Sequence, residues 1–147
     1  MQEYVTIANI RATPEDVWKV LTDAPGYARW NPEIVALDGR MALGQRITAR
    51  VKVGSGAIRR VPMRITVFEA PSRMEWTGGL PLGLFVGRRM FTVTPRDGHT
   101  EFRMHLQMSG PLAPLILKSV GDRQQEIDSF ATALRTCVER LRGDLPA

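Results

Sequence analysis

Among 147 residues the chain has one cysteine, Cys137, and two histidines, His99 and His105. A single cysteine excludes an intrachain disulfide, in keeping with a reducing, cytoplasmic setting. Two histidines, with no acids clustered at ligand spacing, give no typical zinc site, and no metal or other cofactor is expected. His99 falls in a turn, His105 has the outward parity of its strand, and Cys137 sits at the edge of an apolar helix stripe. A Cys–His nucleophile pair is therefore not expected, and no catalytic residue can be named. Long apolar runs are also missing. The longest, around Leu112–Leu117, contains Pro114 and is too short to span a bilayer. The opening stretch MQEYVTIANIRATPED, with Glu3 and frequent polar residues, lacks the apolar core of a secretory signal. Gly54-x-Gly56 is followed by neither a helix nor Lys-Ser/Thr, so it is not a phosphate loop.

Charge of one sign is in modest excess: 20 basic against 15 acidic residues, a net charge of +5, with Arg far outnumbering Lys. No basic block is longer than the pairs Arg59-Arg60 and Arg88-Arg89. Arg46, Arg50, Lys52, Arg64, Arg73 and Arg103 share an outward strand parity and would form a basic face. The aromatics that a base-stacking platform needs are not interleaved with them, so nucleic acid is not expected. A membrane surface or an acidic carrier protein fits such a face, as does plain solvation.

What is present is a succession of clear periods. Tyr4–Ile10 (YVTIANI) is rich in β-branched residues and reads as a strand. Thr13 before Pro14-Glu15-Asp16 reads as a cap, a proline at the first helical position and acids in the first turn. Val17, Trp18, Leu21 and Ala24 give that short helix its apolar side, and Pro25-Gly26 ends it. Tyr27–Trp30 forms a second short helix, closed by Asn31 before Pro32. Period-two alternation then runs through Ile47–Val53, Val61–Val67, Met74–Trp76, Met90–Thr94 and Phe102–Met108. Turns are expected at Gly54-Ser55-Gly56 and Arg96-Asp97-Gly98. From there the period is helical: Ile127, Phe130, Ala131, Leu134, Val138 and Leu141 form one stripe. Ile116 and Val120 extend it upstream if Gly121 does not break the helix.

With 44% hydrophobic and 24% charged residues, the composition is globular rather than disordered, and one domain over residues 1–147 follows. One antiparallel sheet with one apolar face, and one long helix with one apolar stripe, bury each other best if the sheet curls around the helix. The expected architecture is an α+β helix-grip fold: a curved antiparallel sheet wrapped around a long C-terminal helix, with two short N-terminal helices closing one end. Where helix and sheet diverge, an apolar pocket opens.

The order ATPEDVWKVLTD, YARWNPEI, a meander, HTEFRMHLQMSGPLAPL and a long amphipathic helix resembles the START-related, birch-pollen-allergen-like superfamily, in particular its bacterial polyketide cyclase/dehydrase-like members. The markers are Pro14, Val17, Trp18, Asp23, Trp30-Asn31-Pro32, Gly44, Thr100, Gly110 and Leu112-Ala113-Pro114-Leu115, spread over nearly the whole chain. The resemblance implies an internal cavity for an apolar small molecule. It does not imply one reaction. Bacterial relatives often carry His-x-Glu on the last strand, where this chain has His105-Leu106-Gln107, so an activity needing that carboxylate is in doubt.

Inward parity selects the candidate cavity residues Met63, Ile65, Met74, Trp76, Phe91, Phe102, Met104 and Leu106 from the strands, with Ile127 and Phe130 from the helix. Flexible thioethers beside aromatics suit varied apolar ligands. Arg89 shares that parity. It either clamps a ligand carboxylate or phosphate, or snorkels to solvent. Arg123 reaches the pocket mouth if the helix is continuous, and is exposed if Gly121 breaks it. Trp30 is expected to plug the end of the sheet, Asn31 to bond the local backbone, and Tyr27 to stand at the pocket mouth with its hydroxyl wet. The leading expectation is binding of a lipid- or polyketide-like molecule. The alternatives are a cyclase/dehydratase-type or hydrolytic enzyme using the same cavity, and a membrane-associated accessory factor.

Overall fold

The β-branched opening forms strand β1, Gln2–Ile10, in the computed structural model of the chain, which describes residues 1–52, 56–120 and 123–143. Helix α1, Pro14–Leu21, begins where expected: Thr13 is extended and its hydroxyl accepts from the Asp16 amide at 3.2 Å. A single 3-10 turn at Ala24–Gly26 leads into α2, Tyr27–Trp30. Asn31 then turns the chain. Its Oδ1 accepts from the amides of Glu33 and Ile34 at 3.0 and 2.8 Å, the local bond that its side chain was expected to make.

Six further strands follow: β2 (Ile34–Gly39), β3 (Arg46–Lys52), β4 (Ile58–Glu69), β5 (Arg73–Leu80), β6 (Phe85–Arg96) and β7 (His99–Ser109). All pair antiparallel in the order β1-β7-β6-β5-β4-β3-β2, so β1 and β2 are the edges. Irregular registers at Ile34/Ala36 and Ile65/Val67 bend the strands that carry them, and the sheet closes into a half-barrel. Strand β2 was not assigned from the sequence, because IVALDG is an apolar run ending in polar residues and has no alternation. Of the expected Gly54-Ser55-Gly56 turn, Gly54 and Ser55 lie outside the described residues, as does Val53. The strands flanking that turn do pair antiparallel.

After β7, helices α3 (Ala113–Val120) and α4 (Arg123–Gly143) cover the concave face. Gly121, the expected weak point, lies outside the described residues, and the helical stretch is two elements on either side of it. Ile127, Phe130, Ala131, Leu134 and Val138 of α4 are buried, packing against β1, β7 and α1. Leu141, assigned to the same stripe, is 51% exposed and borders a groove between α1 and α4. No helix of the described residues is long and apolar enough to cross a membrane.

Candidate functional site

Two facing glycines make the void. Along β5 the inward positions are Met74, Trp76 and Gly78; along β6 they are Phe91, Arg89 and Gly87. Gly78 pairs with Gly87 across the ladder. The inward side chains thus stop one step beyond the Trp76–Arg89 pair, and α3 does not fill the space. A cleft of about 310 Å³ results. Its walls are Met63 of β4, Leu106 and Met108 of β7, Phe85 of β6 and Ile116 of α3. Gly78 must be a glycine, since a Cβ there would meet the Pro62 carbonyl oxygen at 2.7 Å.

The mouth is rimmed by polar groups of one sign. Arg59, Arg60, Arg89 and Arg123 line the cleft, with no acid beside them in the lining. Arg89 is held from behind. Its two terminal nitrogens donate to the two carboxylate oxygens of Glu126, Nη1 to Oε2 at 3.1 Å, in a bidentate pair. Arg123 lies 3.5 Å from the same carboxylate and also donates to the Val120 carbonyl. The side chains are 16% exposed for each arginine and 5% for the glutamate. Burial alone would drive the Glu126 carboxyl up, but Arg89, its hydrogen bonds and Arg123 hold it below its ordinary range. Burial likewise opposes the Arg89 charge, and Glu126 outweighs it, so this guanidinium stays ionised. Glu33, just before β2, feels the same cluster: burial and the Glu126 charge raise its carboxyl, against the pull of Arg123 and Arg89. Two cations share one buried acid, and the Nε of Arg123 is buried without a partner.

Residues 1–141 match the profile of the family described as polyketide cyclase / dehydrase and lipid transport. The chain belongs to that family. Solved structures agree on the fold. A Nitrosomonas europaea protein shares 14% identity at a TM-score of 0.77, with 96% of each chain covered. A START superfamily protein of Mycobacterium smegmatis shares 18% at 0.71, covering 95% of this chain and 98% of its own. The di-domain ARO/CYC StfQ of the steffimycin biosynthetic pathway shares 10% at 0.75, covering 96% of this chain and 52% of that one. No curated protein matches in sequence. The helix-grip assignment and the START-related resemblance read from the sequence both hold.

Of the residues expected to line the cavity, Met63, Leu106, Arg89 and Arg123 border the cleft. Arg89 neither snorkels nor waits free for a ligand: Glu126 occupies its fork. Ile65, Met74, Trp76, Phe91, Phe102, Met104, Ile127 and Phe130 are instead at most 2% exposed and pack the core. Phe130 is their hub, with ring centroids 5.6 Å from Phe91, 6.2 Å from Phe102 and 5.3 Å from Trp30. Inward parity put these residues on the concave face, but α4 already fills the space before them.

Tyr27 is a second correction. It is fully buried, and its hydroxyl donates to the Leu21 carbonyl at 2.5 Å instead of facing water. Burial pushes its phenol well above the usual range. Trp30 packs edge-on to Phe130 and lies tilted against Tyr27, its ring centroid 4.7 Å away, and is not among the residues that line the cleft. His105 and Gln107 point outward, where the Gln107 amide donates to Glu3 at 2.7 Å. The position that often carries an acid in relatives is therefore on the far side of the sheet from this cleft. Glu126, which organises the arginines, was not singled out from the sequence. Neither were Gly78 and Gly87. Among the described residues, no group of three His, Cys, Asp or Glu could hold a metal.

Proposed function

We propose that the chain binds a small amphipathic molecule, its apolar part in the cleft and an acidic end against the arginines of the mouth. The observation that carries this reading is the void at Gly78 and Gly87, walled by thioether and aliphatic side chains and rimmed by arginines. A volume of about 310 Å³ is at the lower end of small-molecule sites, which run from about 300 to 1,000 Å³, so one chain or a compact ring system fits better than a two-chain lipid. Membership of a family described by polyketide cyclisation and lipid transport points the same way. A cyclase- or hydrolase-type enzyme is the second reading. The titratable groups on the cleft wall are arginines, which hold their protons at neutral pH, so this lining favours holding a ligand over general-base chemistry. Folding a reactive chain within a shaped cleft is the route it leaves open to catalysis.

Nitrogen-labelled protein titrated with dodecanoate, and separately with dodecanol, tests the reading. Amide shifts are expected to concentrate at Gly78, Gly87, Leu106 and Ile116, with the carboxylate binding roughly tenfold tighter than the alcohol. Shifts confined to the groove between α1 and α4, or equal affinity for both probes, would contradict it.

A further inference from the structure

Among the described residues, five of the ten exposed large hydrophobic side chains stand around one opening. Leu82 is 98% exposed, Leu115 67%, Ile58 52%, Leu80 44% and Leu84 41%. Leu80 borders the cleft itself, Leu82 and Leu84 belong to the β5–β6 tip that begins there, and Ile58 precedes the rim arginines. Leu115 adjoins Ile116 of the cleft wall. Leu82 has a φ of +60°, a backbone state that costs an L-residue with a branched side chain, and its side chain gains no packing inside the protein in return. The tip is nonetheless fixed. The Leu112 amide donates to the Leu84 carbonyl at 3.0 Å, and Gly110 passes so close that a Cβ there would meet that oxygen at 2.6 Å. The aliphatic tip is held outward by the same backbone that starts α3.

The charge around it is of one sign. Residues 56–64, 78–90 and 110–120 carry Arg59, Arg60, Arg64, Arg88, Arg89 and Lys118 and not one acid, in a chain with 15 acids; Arg59 and Arg60 border the opening, while Arg64 and Arg88 lie on the outer face of the same strands. Of these basic residues all but Arg89 are exposed. A fixed apolar tip within a field of arginines and lysine matches the layered chemistry of an anionic lipid surface, with apolar groups below the headgroups and cations among them. We infer that this end of the molecule docks on an anionic membrane surface through Leu80, Leu82, Leu84 and Leu115, with the cleft mouth facing the lipid. The docking surface is separate from the ligand reading, which it complements: a cleft opening toward the bilayer receives an apolar molecule without passing it through water.

Co-sedimentation of the full chain with vesicles is the test. Binding to phosphatidylglycerol-containing vesicles is expected at low salt, weakening as salt rises, with little binding to pure phosphatidylcholine. Leu82→Glu should reduce binding to the anionic vesicles at least about tenfold, since an aliphatic contact is lost and a repulsive charge gained. Arg59→Glu with Arg60→Glu should lower it as well and flatten its salt dependence. Leu82 touches neither core nor cleft, so Leu82→Glu should bind dodecanoate as the parent does, which separates failure of docking from failure of the ligand site. Unchanged vesicle binding in Leu82→Glu, or no binding to anionic vesicles at low salt, would overturn the inference. So would a dimer of the parent chain that Leu82→Glu converts to a monomer, since the tip would then be a self-association surface.

Discussion

Glu126→Ala is expected to destabilise the fold by about 3–5 kcal/mol, because it strands two guanidinium groups in a poorly hydrated place. Arg89 and Arg123 are each 16% exposed and share this single carboxylate. Glu126→Gln, which keeps the shape and one acceptor, should cost less. Replacing the pair by apolar groups, Arg89→Met with Glu126→Leu, should recover only the part of the loss that stranded Arg89 causes, since Arg123 still lacks its carboxylate. Urea midpoints of the four proteins supply the comparison. If Glu126→Ala unfolds within about 1 kcal/mol of the parent, the cluster is open to water and its role here is wrong. The pH dependence has a definite sign. The folded-state carboxyl of Glu126 lies below its ordinary 4.5, so its stabilisation is in place above that value and is lost as pH falls through the folded one. Glu33, raised in the fold, acts in the opposite sense: the native state favours its protonated form, and stability falls as pH rises through its titration. The parent should therefore lose stability on acidification more steeply than Glu126→Gln, with Glu33 offsetting part of the difference.

Phe130→Ala should cost about 3–5 kcal/mol, for a different reason. The side chain is 2% exposed, and its ring meets those of Tyr27, Trp30, Phe91 and Phe102 within 6.2 Å. Four rings carried by different elements cannot all collapse into the gap, because each is fixed by its own backbone: two on α2, one on β6 and one on β7. The lost contacts and the cavity then both count against the fold. Leu141→Ala, on the same helix but 51% exposed, serves as the control and should stay within about 0.5 kcal/mol of the parent. Equal losses for the two variants in urea would show that α4 is not gripped at Phe130.

The period of the hydrophobic pattern carried the architecture. Strands β3 to β7 each carry an alternating stretch, because one face looks into the core and the other to water, and that condition is written directly into residue order. Strand β2 escaped because its run from Ile34 to Leu37 is apolar throughout and it is an edge with an irregular register. The site was legible only in part. Parity marked Met63, Leu106 and Arg89 as inward but could not say where along the sheet the helix stops filling the space. The signal for that was the absence of a side chain at the next inward positions, Gly78 and Gly87. Glu126 also left a trace: it lies four residues before Phe130 on the buried side of α4, and a carboxylate there needs a buried cation. Tyr27 misled because a phenol was assigned to water. The last carbonyls of α1 lack helical partners, and Leu21 offers one to its hydroxyl inside the core.

Gly87 gives the most direct access to the cleft. The nearest atoms to a Cβ at Gly87 are those of the Phe85 ring at 3.6 and 3.7 Å and the Gly78 carbonyl oxygen at 3.9 Å, all ordinary contacts, and Gly87 itself lines the cleft. Gly87→Leu therefore fills the cleft without forcing the backbone. Calorimetric titration of dodecanoate into the parent and into Gly87→Leu, with thermal melts to confirm that both are folded, is the measurement. The Gly87→Leu protein is expected to melt close to the parent and to bind dodecanoate at least about tenfold more weakly. A folded Gly87→Leu protein with the parent's affinity would place the ligand elsewhere and contradict binding in the cleft.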